Sequence, residues 1–497
     1  MEKIVLIVFC LCSMAWGQDK ADGENAPALT IYNQNFFVAR ERFPMELLAG
    51  VNRVNYAGVA AHLEPDSVIL RDPAGRALQV LEQNYRNDPI SQELLLSFYE
   101  GKMIDFVTGR NLDKDVIVRG KIVRSGYVPR NYYAQNYQQP VSTQPIIEVD
   151  GVLRFGMPGQ PLFPALSADS ILKPTLTWLL QTNQPGKFDA EVSYVSGGMN
   201  WQADYNLVVS GKSTSKFDLL DLVGWVTMRN QSGKTFENAN IKLLAGDVNK
   251  IQEGGVAGRV YAAEAAAMTD AMAPVVREKS FDEFHLYTLE RSTTLRDQET
   301  KQVEFVRATG IQAQRLYIYD GAKVEQYGYR NPEQVRQDPG YGTQSNPKVW
   351  VMEEFKNAEV NHLGIPLPKG KLRFYRRDTD GHLEFVGENQ IDHTPKDETI
   401  RAYTGNAFDV VGERKRTSFH VDSSHNWMEE TFEIRVRNHK KEPVNVRVVE
   451  HLYRWTNWTL TEQSQPSRKM DAQTAEFPVT IEPDGQQVVT YTVHYSW

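Results

Sequence analysis

The sequence predicts a mainly β protein: antiparallel β-sandwich modules behind a smaller β-rich N-terminal domain, with few helices. Three observations lead there. Most ordered-looking segments alternate apolar and polar residues with period two, turn signals cut them into short runs, and helical periodicity is scarce. In TFEIRVRN, Phe432, Ile434 and Val436 alternate with Glu433, Arg435 and Arg437. In VNVRVV, Val444, Val446 and Val448 repeat the pattern, and the polar HKKEP between the two runs reads as a hairpin loop. Such half-buried alternation belongs to antiparallel sheets with one wet face.

Taken from the N-terminus, the first segment differs in kind. MEKIVLIVFCLCSMAWGQ has one lysine, an apolar run from Ile4 to about Trp16 and small residues at Ala15 and Gly17, the pattern of a signal peptide cleaved after Gly17. The run is too short for a permanent bilayer span. Both cysteines, Cys10 and Cys12, lie inside it, so the mature chain is expected to carry neither thiol nor disulfide, which excludes thiolate catalysis and Cys-ligated zinc.

A β-rich domain is expected over 18–165. Within it DPISQELLLSFYEGKMI can carry one short helix, with Ser91 as N-cap and Leu94, Leu95 and Phe98 on one face. The β-sandwich region follows in two parts, 185–250 and 281–497. An Ala- and Met-rich linker or insertion over 251–280 separates them, helix-prone but without an apolar stripe. Further alternating runs are WVTMRNQSGKTFENANIKLLAG, KLRFYRRDTDGHLEFVG with an Asp380-Gly381 turn, and a last strand bearing Val489, Tyr491, Val493, Tyr495 and Trp497. The aromatic end of that strand suits a closing sandwich strand; an outer-membrane barrel would need uniformly apolar outward faces, where this chain has Arg, Glu and Lys.

The chain is 497 residues long, with 41% hydrophobic and 24% charged residues, enough to bury more than one core. Its net charge of −8, with basic residues dispersed among acidic ones, argues against nucleic acid as a partner.

Four segments, VSYVSGGMNWQADYNLVV, GWVTMRNQSGKTFENANIKLLAGDVN, FKNAEVNHLGIPLPKGKLRFYRRD and GENQIDHTPKDETIRAYTGNAFDVVGER, together resemble the bacterial domain-of-unknown-function family numbered 4139, over roughly residues 190–497. LLAGVNRVNYAGVAAHLEPDSVIL is more distantly similar to the N-terminal part of mucoidy-inhibitor-like proteins. The resemblance implies an exported bacterial protein with a largely β-sandwich fold, and assigns no catalytic residue or ligand.

Candidate sites follow from residue type. QIDHTPKDE crowds Asp392, His393, Asp397 and Glu398 together, types that build metal sites and acid/base pairs. On an extended chain, prolonged by Pro395, neighbouring side chains point to opposite faces, so the preferred reading is a wet turn at a strand end. FHVDSSHNW offers His420, Asp422, Ser423, Ser424 and His425, hydrolase residue types, but no Gly-x-Ser-x-Gly elbow occurs in the chain. Gly211-Lys212-Ser213 lacks the earlier glycine of a phosphate loop, and Asp378-Thr379-Asp380-Gly381 reads as hairpin chemistry rather than a calcium loop. Trp455, Trp458, Tyr132 and Tyr133 are candidate aromatic binders, able to stack on sugars or anchor a protein.

No metal or cofactor is expected. The expected protein is exported, to the periplasm, the outer membrane or the outside, and supports or binds a protein or glycan of the cell envelope. A hydrolase assembled from loops near His393 and a glycan-binding module are the alternatives.

Overall fold

The computed structural model describes residues 26–497 except 89, 112–113, 128–143, 165–170, 210–216, 251–275, 323–334 and 336–337. The chain is mainly β and sandwich-like, at 65% strand and 3% helix. The expected signal segment 1–17, residues 251–275 of the expected linker 251–280, Gly211-Lys212-Ser213, Tyr132 and Tyr133 lie outside the described residues, and the end of that linker is instead part of the strand Val276–Phe281. Among the described residues no helix is long and apolar enough to cross a membrane.

Two compact units are interleaved along the chain. One comprises residues up to Trp201 with Met228–Leu244 and Leu286–Lys301; the other comprises Gln202–Thr227, Ala245–His285 and Gln302–Trp497. In the first, strand Phe36–Leu47 pairs antiparallel with Gly186–Gly197 and Ala28–Tyr32, and Ala28–Tyr32 also pairs in parallel with Phe236–Ala245, Leu29 opposite Ile241. Gly50–Ala57, Thr175–Thr182 and Gln79–Arg86 make a three-stranded sheet around the buried Trp178, whose indole donates to Gln83 Oε1 at 2.8 Å.

A five-stranded sheet in the same unit packs the helix Gln92–Phe98. Ser91 caps it as expected, its side chain accepting from the Leu94 amide at 3.2 Å. The buried face is Leu94 and Leu96, not Leu94, Leu95 and Phe98, and Phe98 is exposed. Seven residues make only about two turns. Leu96, set among Ile104, Phe106, Ile122, Ile147 and Val149, fixes the contact instead of the periodicity.

The second unit carries the alternation most fully. Strand Trp427–Asn438 buries Met428, Phe432, Ile434 and Val436; Gln486–Ser496 buries Val489, Tyr491, Val493 and Tyr495; Val444–His451 buries Val444, Val446 and Val448. All belong to one core cluster. The expected hairpin across HKKEP is corrected here. Trp427–Asn438 pairs with Thr399–Asp422 and Gln486–Ser496, whereas Val444–His451 pairs with Thr474–Ile481 and, in parallel, with the end of Glu299–Asp320. The loop crosses the core, so that the two apolar rows face one another and bury both. Asn438, fully buried, holds the crossing: its amide donates to the carbonyls of Glu442 at 2.8 Å and Ile481 at 3.2 Å, and its Oδ1 accepts from the Lys440 amide at 3.0 Å. The Asp380-Gly381 hairpin forms as expected between Gly370–Arg377 and Leu383–Ile391, with Gly381 at φ 89°.

Close packing at Gly412 is compulsory. A Cβ there would overlap the ring of Tyr319, itself fully buried with its hydroxyl donating to Asn346 O at 2.9 Å. Gly412→Ala is therefore expected to cost about 1–3 kcal/mol by overpacking. A urea-unfolding midpoint equal to that of the unsubstituted chain would refute this placement of Tyr319.

One end of this core is ionic. Arg414 Nε donates to both oxygens of Glu450 at 2.9 Å, and Tyr491 Oη donates to Glu450 Oε2 at 2.6 Å; all three side chains are buried. Beside them Glu430 Oε1 accepts from Arg454 at 2.8 Å and from Arg416 at 3.1 Å. The same arginines hold the segment that follows the strand Glu299–Asp320. Arg454 donates to the carbonyls of Val335, Asp338 and Tyr341, Arg414 to Gly342 and Arg416 to Pro339. Burial raises the Tyr491 phenol well above its ordinary range, so it stays a donor to Glu450.

Candidate functional site

Six neighbouring strands build an open cleft whose lining residues all belong to the second unit. In sheet order they are Gly370–Arg377, Met199–Val209, Asp218–Asn230, Glu299–Asp320, Lys348–Lys356 and Thr399–Asp422. Register brings their residues into a row: Val209 lies opposite Arg376, Arg315 opposite Glu353, and Val351 and Trp350 opposite Gly405 and Asn406. The cleft holds about 780 Å³ of space open to solvent. Its floor carries Arg315, Glu353, Arg376 and Lys440, and Thr404 to Asp409 form one wall.

The floor is a chain of charge-assisted contacts. Arg376 reaches Asp218 Oδ2 at 2.9 Å, and Arg315 donates to the same oxygen. Arg315 Nε donates to Glu353 Oε1 at 3.3 Å. The carboxylates lie underneath, their side chains 6% exposed for Asp218 and 4% for Glu353, while the Arg315 and Arg376 side chains are 28% and 37% exposed. Glu353 Oε2 is buried without a hydrogen-bond partner. Burial, helped by the Asp218 charge and opposed by Arg315, pushes the Glu353 carboxyl up to about 7. Lys440 Nζ donates to Tyr317 Oη at 2.8 Å at one side. At the rim stands Phe408, 96% exposed on an ordered strand.

The residues singled out from sequence lie elsewhere. Asp392 is exposed and accepts its neighbour's amide, His393 N, at 2.9 Å. His393 Nδ1 accepts from the Lys369 amide at 3.2 Å, and burial lowers its pKa, so the ring is a neutral pin for the segment before strand Gly370–Arg377. Asp397 and Glu398 are exposed in a turn tied to Asn357: the Asp397 amide donates to Asn357 O at 2.7 Å and the Asn357 amide to Glu398 O at 2.8 Å. Among the described residues, no group of three or more His, Cys, Asp or Glu is placed to hold a metal ion.

Asp422, Ser424 and His425 do come together, in the tight turn before strand Trp427–Asn438. Asp422 Oδ2 meets His425 Nδ1 at 2.7 Å, and Ser424 Oγ donates to Asp422 Oδ1 at 2.5 Å. Ser424 also contacts Nδ1 of the same ring, at 3.0 Å. A nucleophile and an orienting carboxylate must use opposite imidazole nitrogens, so this is turn geometry and no relay. The Ser424 hydroxyl and then the His425 ring hold the Asp422 carboxyl well below its usual range.

Trp455 and Trp458 are half-buried against the sandwich core. Trp458 spends its indole N–H on Ala472 O at 2.7 Å, and Lys469 sits 4.5 Å above its ring. That leaves Trp458 less free for a ligand than Phe408.

Sequence reading passed over the cleft, yet a signal was present. Glu353 falls on the same parity as the buried Val349 and Phe355 of its strand, a carboxylate where the pattern calls for an apolar side chain. Glu430, Glu450 and Arg414 are the same kind of exception in their own strands.

No family model, curated protein or solved structure matches this chain.

Proposed function

We propose that the chain is an exported protein of the bacterial cell envelope that binds a protein or glycan there rather than transforming it, and that the cleft floored by Arg315, Glu353 and Arg376 is its binding site. The observation that carries this reading is the cleft itself: a preorganised charged floor, locked by ion pairs across strands, beside an aromatic ring that contributes nothing to the core. Export rests on the N-terminal apolar run with small residues at Ala15 and Gly17. No nucleic acid, metal or cofactor enters the proposal.

The test is recovery of crosslinked envelope partners on the full chain and on Phe408→Ala, a surface change expected to leave stability within about 0.5 kcal/mol. A reproducible partner lost from the variant is the expected result. Identical recovery by both chains would refute the cleft as the site.

A hydrolase is the second reading, and one observation favours it. A carboxyl raised to about 7 beside a second carboxylate is how general acids are made. Against it, Asp218 is engaged by two guanidinium groups and offers no free base. Hydrolysis lost in Glu353→Gln but retained in Phe408→Ala would favour this reading over the first.

A further inference from the structure

Resting on the reading of the cleft as a binding site, we infer that its ligand is a carboxylate-bearing glycan, the carboxylate seated on Arg315, Arg376 and Lys440 and a sugar face lying on Phe408. The layering of the floor selects the charge. The floor turns its cations outward, the guanidinium groups being 28% and 37% exposed and Lys440 23%, while Asp218 and Glu353 lie beneath at 6% and 4%, and the carboxylate Asp409 stands on the wall. Arg315 and Arg376 are balanced by Asp218 and Glu353, and Lys440 by Glu442 at 3.6 Å, so the guanidinium pair turns positive when Glu353 holds its proton.

Arginine suits this task because its planar donor fork matches a carboxylate at two points. Arg315 and Arg376 share one oxygen of Asp218, which leaves donors on both for an incoming anion. The partner chemistry of the wall selects a sugar. Thr404, Asn406 and Asp409 offer donors and acceptors for hydroxyl groups, and they flank Phe408, whose exposed ring supplies an apolar face at low entropy cost.

Glu353 makes recognition pH-dependent. The ionisable groups facing it are Asp218 and Arg315 from their strands, Arg376 across the row, Tyr317 and Lys440 at one side and Asp409 at the rim. With Glu353 neutral, Arg315 has Asp218 alone to balance it and turns more charge to the ligand. Binding is therefore tighter at pH 6 than at pH 8.

The experiment is calorimetric titration of the full chain with oligogalacturonate at pH 6 and pH 8, with methyl-esterified oligogalacturonate and poly-glutamate as comparisons. The acidic sugar binds about tenfold more weakly at pH 8, and the ester binds at least tenfold more weakly than the acid. Phe408→Ala weakens sugar binding while leaving the unfolding midpoint unchanged. Glu353→Gln binds the sugar with the same affinity at both pH values. Equal affinity for acid and ester overturns the inference, as does a preference for poly-glutamate unaffected by Phe408→Ala. Where oligogalacturonate does not bind but capture of an envelope partner still depends on Phe408, the ligand class is wrong and the binding reading stands. Where both fail, both fall.

Discussion

Glu450→Leu is expected to lower the stability of the sandwich-like unit by about 3–5 kcal/mol, the cost of stranding a buried charge. Arg414 is almost wholly enclosed, with Glu450 as its counter-charge in contact among the described residues and the centre of the Phe432 ring 3.9 Å from its guanidinium carbon. Removing the carboxylate leaves that guanidinium with the neutral Gly342 carbonyl in place of a counter-charge, and the Tyr491 hydroxyl without its acceptor. The double substitution Arg414→Met with Glu450→Leu removes both charges, and it should recover most of the loss, since a packed apolar pair can equal a buried ion pair. Urea unfolding of the two singles and the double provides the cycle. A Glu450→Leu midpoint close to that of the unsubstituted chain would show that the ion pair is not buried as described.

Glu353 makes stability depend on pH with a definite sign. Its carboxyl is raised from 4.5 to about 7 in the folded chain, so the native state holds a proton that the unfolded state releases first. Stability from this group is complete below pH 4.5, falls as pH climbs from 4.5 to 7, and is gone above, a loss of about 3 kcal/mol. Glu353→Gln keeps the shape and cannot ionise. Its unfolding midpoint should match the original chain at pH 4 and exceed it at pH 8. His451, raised above its ordinary value by its hydrogen bond to Asp320, is common to both chains, so the comparison between variant and original isolates Glu353. Parallel pH curves for the two chains would count against a protonated Glu353.

The strands were legible because one buried face leaves a mark every second residue, as in Trp427–Asn438 and Gln486–Ser496. Their partners were not. Alternation assigns a side chain to a face without naming the strand beside it, so HKKEP reads equally as a hairpin and as a crossing of the core. The cleft was hidden for a related reason. Asp218 and Arg376 are 158 residues apart and meet only through the sheet order. Polar residues that stand together in sequence, Asp392 to Glu398 and Asp422 to His425, instead satisfy nearby backbone and one another, as short polar side chains in turns commonly do. The informative residues were the charged ones out of step with their strands.

The parallel ladder between Ala28–Tyr32 and Phe236–Ala245 bears on how the chain is made. A ribosome has to deliver roughly two hundred residues after Leu29 before Ile241 exists to meet it, and closing so distant a contact is slow. Thr293–Leu295 then adds to the same segment from later still. Vectorial synthesis thus cannot complete the first unit before about residue 301, where its last piece ends. A fragment cut near residue 200 would emerge with an open sheet edge at Leu29 and Ile31, and should clump rather than fold.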